Sequence, residues 1–227
     1  MIDAVVFDIG ETLLDDTREW NAWADWLGVR RHTFSAVVGA VGASGRDNRE
    51  AFAYFRHDFN LEHERAAREA AGCGQAIDEA DLYVDVRPAL SALRDAGVWV
   101  GIAGNQTARV GELLHSLRLP ADAIATSARW GVGKPDPAFF DRVVSMAPTD
   151  RAGLLYVGDH RDHDLLAGCN AGVRTALIRR GPWGYLWHDE PKVRTAAAFV
   201  ASGLTELVEM VLAERAGSPE VAPRTSP

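Results

Sequence analysis

Three aspartates near the ends of apolar, strand-like runs are the residues of this chain best placed to do chemistry. Asp8 follows the apolar run at 5–7 and enters a turn that contains Gly10. Asp159 follows a second run at 154–157, and Asp164 lies a few residues further on. Open parallel α/β sheets bind ligands at the edge formed by the carboxyl ends of their strands. The sequence therefore predicts that these carboxylates meet at one edge of a sheet.

The elements that would position these residues follow an alternating pattern from about position 90 onward. Short β-branched runs alternate with segments of helical spacing, which is typical of βαβ units in an α/β fold. Asp136 is predicted to cap a helix that begins with Pro137, and Gly172 to end a helix in a left-handed conformation. The predicted strands are 98–103, 123–126, 154–157 and 175–178, and the predicted helices 107–117, 164–170 and 204–213.

The segment 15–85 interrupts this alternation and contains no convincing strand. Trp20, Trp23 and Leu27 repeat at helical spacing, and so do Phe52, Phe55 and Phe59. The sequence therefore predicts a core formed by 1–14 and 86–215 and a helical insertion at 15–85. The Pro- and Ser-rich tail at 216–227 has no periodicity, and we expect it to be disordered.

Composition limits the function classes. The 227 residues are 47% hydrophobic and carry a formal net charge of -8, with no concentrated basic run, which disfavours nucleic-acid and anionic-membrane partners. No apolar run approaches the ~20 residues of a membrane span, and no signal-peptide pattern is visible. The two cysteines, Cys73 and Cys169, lack metal-ligand spacing. We expect a cytoplasmic protein, either a monomer or a homodimer, without a structural zinc.

Four ordered motifs resemble those of the haloacid dehalogenase-like hydrolase superfamily. They are Asp8-Ile9-Gly10-Glu11-Thr12, Gly104-Asn105, Lys134-Pro135, and Gly158-Asp159 with Asp164. The resemblance extends over nearly the whole chain and includes the insertion, which is similar in position and length to the smaller cap type of this family. It implies a Rossmann-like parallel sheet core with an inserted all-helical cap domain.

The resemblance also implies a role for each motif. Asp8 would be the nucleophile that accepts a phosphoryl group, and Lys134, one of only two lysines in the chain, would balance charge. Three carboxylates provide hard oxygen ligands that suit Mg²⁺. The implied metal ligands are Asp8, the carbonyl of Gly10, Asp159 and Asp164, and the implied substrate contacts are Thr12, Gly104 and Asn105. The expected substrate is a small phosphorylated metabolite.

Two positions depart from the family pattern. Phosphatases of this family usually carry a second aspartate, a general acid and base, two residues after the nucleophile, and this chain has Gly10 there. General acid–base catalysis is worth about 10²- to 10⁴-fold in rate, so a substitute is needed for fast turnover. The nearest candidates in sequence are Glu11, His160, Asp162 and His163. The second departure is Gly104, where the family has Ser or Thr.

These departures leave alternatives to a phosphatase. A protein that binds a phosphorylated ligand or a partner without turnover stays open, and so does a haloacid dehalogenase, although the latter does not need the acidic pair Asp159 and Asp164. Phosphonate cleavage through a cap lysine is excluded, because no lysine occurs between positions 1 and 133. A phospho-accepting receiver domain is disfavoured, since such domains lack a long insertion after the first strand.

Overall fold

A computed structural model describes residues 1–217 of the chain. The predicted tail therefore lies outside the described residues, except for positions 216 and 217, which form the end of the last helix. No helix among the described residues is long and apolar enough to span a bilayer.

Six parallel strands form one sheet, as the α/β pattern predicts. Their order across the sheet is β3-β2-β1-β4-β5-β6, so the chain builds outward from β1 in both directions. In register, Phe7 of the first strand lies between Ile102 and Val157 of its two neighbours. The strands are β1 Ala4–Phe7, β2 Trp99–Gly104, β3 Ala123–Thr126, β4 Leu154–Gly158, β5 Arg174–Ile178 and β6 Phe199–Ala201.

Helices cover both faces of the sheet, because successive strand residues point to opposite sides. The helices are α1 Thr17–Leu27, α2 Arg31–Ala43, α3 Leu61–Ala70, α4 Val86–Asp95, α5 Ala108–Ser116, α6 Ser127–Trp130, α7 Pro137–Met146, α8 Ala167–Asn170, α9 Gly181–Trp187, α10 Pro191–Ala196 and α11 Leu204–Gly217. Val5 and Phe7 pack on one face against α4, α5 and α11, while Val6 packs on the other against α7 and α8.

The segment between β1 and α4 is helical, as predicted, and has its own apolar cluster. A short 3₁₀ segment at Asn48–Tyr54 lies between α2 and α3, and a second one at Glu79–Asp81 follows α3. Trp23, Phe34 and Phe52 are buried together in this cluster, so the aromatic residues at helical spacing serve packing. The division of the chain into domains at positions 15 and 85 stays a prediction.

Local signals placed most elements, and short elements escaped prediction. The side chain of Asp136 caps α7, Pro137 starts that helix, and Gly172 has a φ of 76°. The single helix predicted at 164–170 is replaced in the structure by two elements, a π-helical turn at Arg161–Leu166 and the short helix α8 that follows it. Helices α6, α9 and α10 and the three-residue β6 were not predicted, because such short segments provide too few residues for a periodic pattern.

Arg68 provides a test of what holds the helical segment together. This side chain is 3% exposed, and its Nη1 donates to Glu19 Oε1 at 2.8 Å, while its guanidinium lies 4.1 Å from the ring centroid of Trp23. Removing one partner of a buried pair leaves the other charge unpaired. We expect Arg68→Ala to lower the free energy of unfolding by about 3 kcal/mol, measured by urea unfolding with tryptophan fluorescence.

Arg65→Ala on the same helix is the matched control, because Arg65 is exposed. Its effect should stay within about 0.5 kcal/mol. Equal effects of the two substitutions would show that the buried pair does not stabilise the segment.

Candidate active site

The predicted acidic residues converge at the carboxyl edge of the sheet. Asp8 directly follows β1, Asp159 directly follows β4, and Asp164 lies in the π-helical turn. One carboxylate oxygen from each lies within 4.8 Å of the others, and the three residues are between 1% and 8% exposed. The neighbouring strands β1 and β4 thus bring together residues that are about 150 positions apart in the chain.

Lys134 is the cation within this acidic cluster. Its Nζ lies 2.6 Å from Asp8 Oδ1 and 2.5 Å from Asp164 Oδ1. Burial lowers the pKa of Lys134, but the attraction of Asp164 and Asp8 outweighs it and holds the pKa well above its usual value. Burial also raises the pKa of Asp8, to about 6, against the attraction of Lys134. The lysine is therefore positively charged at neutral pH and pairs with two of the three carboxylates.

Asp159 is the carboxylate that lacks such a partner. Its Oδ2 is buried and has no hydrogen-bond partner among the residues that the structure describes. Burial, with added repulsion from Asp164 and Asp8, raises its pKa well above the usual value. An unpartnered buried carboxylate beside two others is a donor set that fits a hard divalent cation. The predicted fourth ligand, Gly10, lines the same cavity, and its carbonyl ligation stays a prediction.

The close approach of β2 to Asp8 explains the departure at Gly104, the last residue of that strand. A Cβ built on this glycine would meet Asp8 Oδ1 and would lie 3.2 Å from Ile9 Cδ1. The serine or threonine of the family pattern thus has no room here without a shift of the nucleophile. The next residue, Asn105, accepts from the backbone N–H of Lys134 at 2.7 Å and donates to its carbonyl at 2.8 Å. Asn105 therefore positions Lys134, and the predicted substrate contacts of Gly104 and Asn105 stay predictions.

The structure does not bring Thr12, the third predicted substrate contact, to the cavity. Thr12 is fully buried, and its hydroxyl has no partner among residues 1–217. Glu11 adopts a φ of 53°, a left-handed conformation, so the chain turns there and Thr12 enters the core while Glu11 lines the cavity. The carbonyl of Thr12 accepts from Arg180 Nη1 at 2.9 Å, which fixes the loop after β1.

A cavity of about 430 Å³ opens above the acidic cluster. The sheet edge contributes the three aspartates and Lys134, and the helical segment contributes Trp20, Asn21, Ser35, Val38 and Asn48. A third wall comes from the start of α9, including Trp183. The cavity therefore lies between the residues that can do chemistry and side chains from the insertion.

Asp16 occupies the space left by the missing second aspartate, a role the sequence did not suggest. A Cβ built on Gly10 would lie 2.5 Å from Asp16 Oδ2. Asp16 is the N-cap residue of α1, yet its side chain makes no capping hydrogen bond and lines the cavity instead. Burial, followed by repulsion from Glu11 and Asp8, raises its pKa well above the usual value. Its sequence signal was an Asp pair before a helix, six positions after a glycine.

The four candidates named from sequence are placed less favourably. Glu11 lines the cavity, but its Oε2 accepts from the Tyr83 hydroxyl at 2.6 Å. Asp162 pairs with Arg161 at 2.7 Å. The rings of His160 and His163 stack with their centroids 4.1 Å apart. Burial lowers the pKa of both imidazoles, to about 4 for His160, so neither is a cation at neutral pH.

Asp159→Asn tests the metal site without reference to activity. Because the pKa of Asp159 is raised in the folded protein, the metal-free fold loses stability as the pH rises through that pKa and the carboxyl group ionises. At pH 8 the uncharged amide of Asp159→Asn avoids this cost. We expect this variant to be about 1 kcal/mol more stable than wild type in chelator. Added MgCl₂ should raise the melting temperature of the wild type by several degrees and that of the variant much less.

Asp162→Asn is the matched control, since Asp162 lies three residues after Asp159, in the π-helical turn, and pairs with Arg161 outside the acidic cluster. The melting temperature of this control should rise with MgCl₂ as much as that of the wild type. Equal responses of the Asp159 and Asp162 variants would argue against a metal at the cluster.

Comparisons with known proteins agree with this architecture. A family model described as haloacid dehalogenase-like hydrolase matches residues 2–172. Phosphoglycolate phosphatase 1 of Pseudomonas aeruginosa is 30% identical over 223 residues, covering 90% of this chain and 78% of that protein.

Solved structures show the same fold at lower identity. An L-2-haloacid dehalogenase from Xanthobacter autotrophicus superposes with a TM-score of 0.67 at 21% identity, covering 93% of this chain and 99% of the other. A phosphatase of the same superfamily from Thermococcus onnurineus superposes with a TM-score of 0.59 at 19% identity, covering 92% and 98%. Because the family model matches residues 2–172, which is most of the sequence, the chain belongs to the haloacid dehalogenase-like hydrolase family.

Proposed function

We propose that this protein is a Mg²⁺-dependent phosphatase of a small phosphorylated metabolite, acting through an aspartyl-phosphate at Asp8. The observation that carries the proposal is the pairing of Asp8 and Asp164 with Lys134 beside the unpartnered carboxylate of Asp159. A dehalogenase has no need for such a set of acids. The activity for which the Pseudomonas aeruginosa relative is named supports a phosphomonoester as the substrate type.

The proposed reaction needs positive charge at the cluster before a phosphate dianion can enter. Asp8, Asp159, Asp164 and the Gly10 carbonyl are the proposed ligands of Mg²⁺, which would supply charge neutralisation for the substrate phosphate. Lys134 contributes a second positive charge from within the protein. Asn105 keeps Lys134 in place through both backbone hydrogen bonds, so this charge needs no reorganisation during the reaction.

The reaction then proceeds in two transfers. A carboxylate oxygen of Asp8 forms a bond to phosphorus while the bond between phosphorus and the alcohol oxygen breaks. A water molecule next attacks the phosphorus of the aspartyl-phosphate, which releases inorganic phosphate and restores the Asp8 carboxylate.

Asp16 is the proposed proton carrier for both transfers. Its carboxyl group lies where a side chain at position 10 would point, so it would donate a proton to the leaving alcohol oxygen. The resulting carboxylate would then accept a proton from the attacking water. This assignment gives the reaction a general acid and base although position 10 is glycine.

Asp8→Asn tests the central step. An amide lacks the anionic oxygen that attacks phosphorus, so phosphate release should fall by more than about 10³-fold, to the level of a metal-free control. The measurement is phosphate release from a panel of phosphomonoesters with MgCl₂. Asp141→Asn, on the exposed side of α7, should retain wild-type rates.

The same panel separates the alternatives. Turnover that survives in Asp8→Asn would contradict the aspartyl-phosphate. Tight binding of phosphomonoesters without phosphate release by the wild type would identify a binding protein, and halide release from 2-haloacids without metal would identify a dehalogenase.

Asp16→Asn tests the proton carrier through the leaving group. An alkyl alcohol needs protonation as it leaves, whereas 4-nitrophenolate does not. Release of alcohol from an alkyl phosphate should therefore fall by about 10²-fold or more, while the first-turnover release of 4-nitrophenolate should change little. Rapid-mixing kinetics of the first turnover measure both.

The double variant Gly10→Asp/Asp16→Gly moves the carboxyl group to the other residue without crowding. It should recover a large part of the alkyl phosphate rate. Equal losses for both substrates in Asp16→Asn, with no recovery in the double variant, would remove Asp16 from this role.

A further inference from the structure

The cavity wall beyond the acidic cluster is rich in carboxyl groups. Glu11, Asp15 and Asp16 line the cavity next to the position proposed for the leaving group. Among the described residues that line this cavity, Lys134 is the one lysine or arginine, and it is held between Asp8 and Asp164. A second negative charge on the substrate would therefore find no free lysine or arginine there.

Two histidines add an aromatic surface to the cavity. His160 and His163 line it, and their rings stack face to face with 4.1 Å between centroids. The His160 ring also packs against Trp187, with 4.8 Å between centroids. The two stacked rings therefore turn part of this wall into a flat aromatic face.

The helical segment provides neutral polar groups instead. Asn21, Ser35 and Asn48 line the cavity, and their amides and hydroxyl can both donate to and accept from alcohol groups. Trp20 and Trp183 add apolar surface. Such a wall matches hydroxyl and carbon groups better than a carboxylate, which is costly to desolvate without a partner.

From this charge distribution we infer the substrate class: a phosphomonoester whose alcohol part is uncharged and carries further hydroxyl groups. The inference rests on the proposed phosphatase function and narrows it. It excludes phosphorylated hydroxy acids as preferred substrates, and phosphoglycolate is one of them. The chain would then differ in specificity from a relative that shares its fold and 30% of its residues.

A matched pair of compounds tests this inference. 2-Hydroxyethyl phosphate and 2-phosphoglycolate have the same length and differ in a CH₂OH group against a carboxylate. We expect kcat/KM of the wild type with MgCl₂ to be at least about 10-fold higher for the neutral compound, mainly through KM. Equal or faster hydrolysis of 2-phosphoglycolate would overturn the inference.

Charge variants show whether the wall causes the preference. Asp15→Asn removes a negative charge but keeps the acceptor for the Thr17 N–H, which Asp15 Oδ1 binds at 2.9 Å. It should lower the ratio of kcat/KM for 2-hydroxyethyl phosphate to kcat/KM for 2-phosphoglycolate several-fold. Asp25→Asn is the matched control, because Asp25 lies on α1, the helix that follows Asp15, outside this cavity, and pairs with Arg31. It should leave the ratio unchanged, and an equal effect of the two variants would count against the inference.

Binding measurements separate this inference from the proposed function. Calorimetric titration of Asp8→Asn protein with each compound, in MgCl₂, reports the preference without turnover. If the wild type hydrolyses no phosphomonoester but Asp8→Asn binds the neutral compound more tightly, the phosphatase proposal fails and the specificity stands. If 2-phosphoglycolate binds as tightly, or neither compound binds, the specificity fails.

Discussion

The buried lysine between two carboxylates is the interaction on which the site depends. Parallel strands β1 and β4 bring Asp8 and Asp159 to the same edge, and the turn after β4 adds Asp164. Three carboxylates this close repel one another, and burial strengthens the repulsion. Lys134 offsets the charge of two of them at 2.6 and 2.5 Å. Asp159 has no such partner, which supports the proposal that an external cation binds beside it.

Much of the surrounding structure serves to hold this lysine and its partners. Asn105 bonds to the backbone of Lys134 on both sides of the residue. The backbone N–H of His160 donates to Asp164 Oδ2 at 2.8 Å, which fixes the carboxylate within the turn. Gly104 brings β2 so close to Asp8 that a side chain there would collide with it. The departure from the family pattern at Gly104 is thus explained by crowding around this ion pair, whereas the departure at Gly10 is explained by Asp16.

The sequence predicted those features that depend on local signals. Apolar runs bounded by glycine or aspartate placed four further strands beside the first, and Asp136 with Pro137 placed the start of α7. The acidic cluster and Lys134 were predictable because Asp8 and Asp159 each follow an apolar run, and because the four motifs occur in the same order along the chain as in the family. The positions of Thr12 and Asp16 were not predictable. Thr12 is turned into the core by the left-handed conformation of Glu11, and Asp16 comes close to Gly10 only through tertiary packing. Short elements such as β6 carry no pattern to detect.

The position of Asp16 links the chemistry to the insertion. Asp16 directly precedes the first residue of α1, and the same helix carries Trp20 and Asn21 into the cavity wall. In the proposed reaction, the proton donor and part of the substrate contact therefore lie on one rigid element. With an aspartate at position 10, the acid would instead belong to the loop after β1 and would stay near Asp8 however the insertion moved. Here any shift of α1 relative to the sheet would displace the acid and the contacting side chains together, so substrate fit and proton transfer depend on one position of one helix.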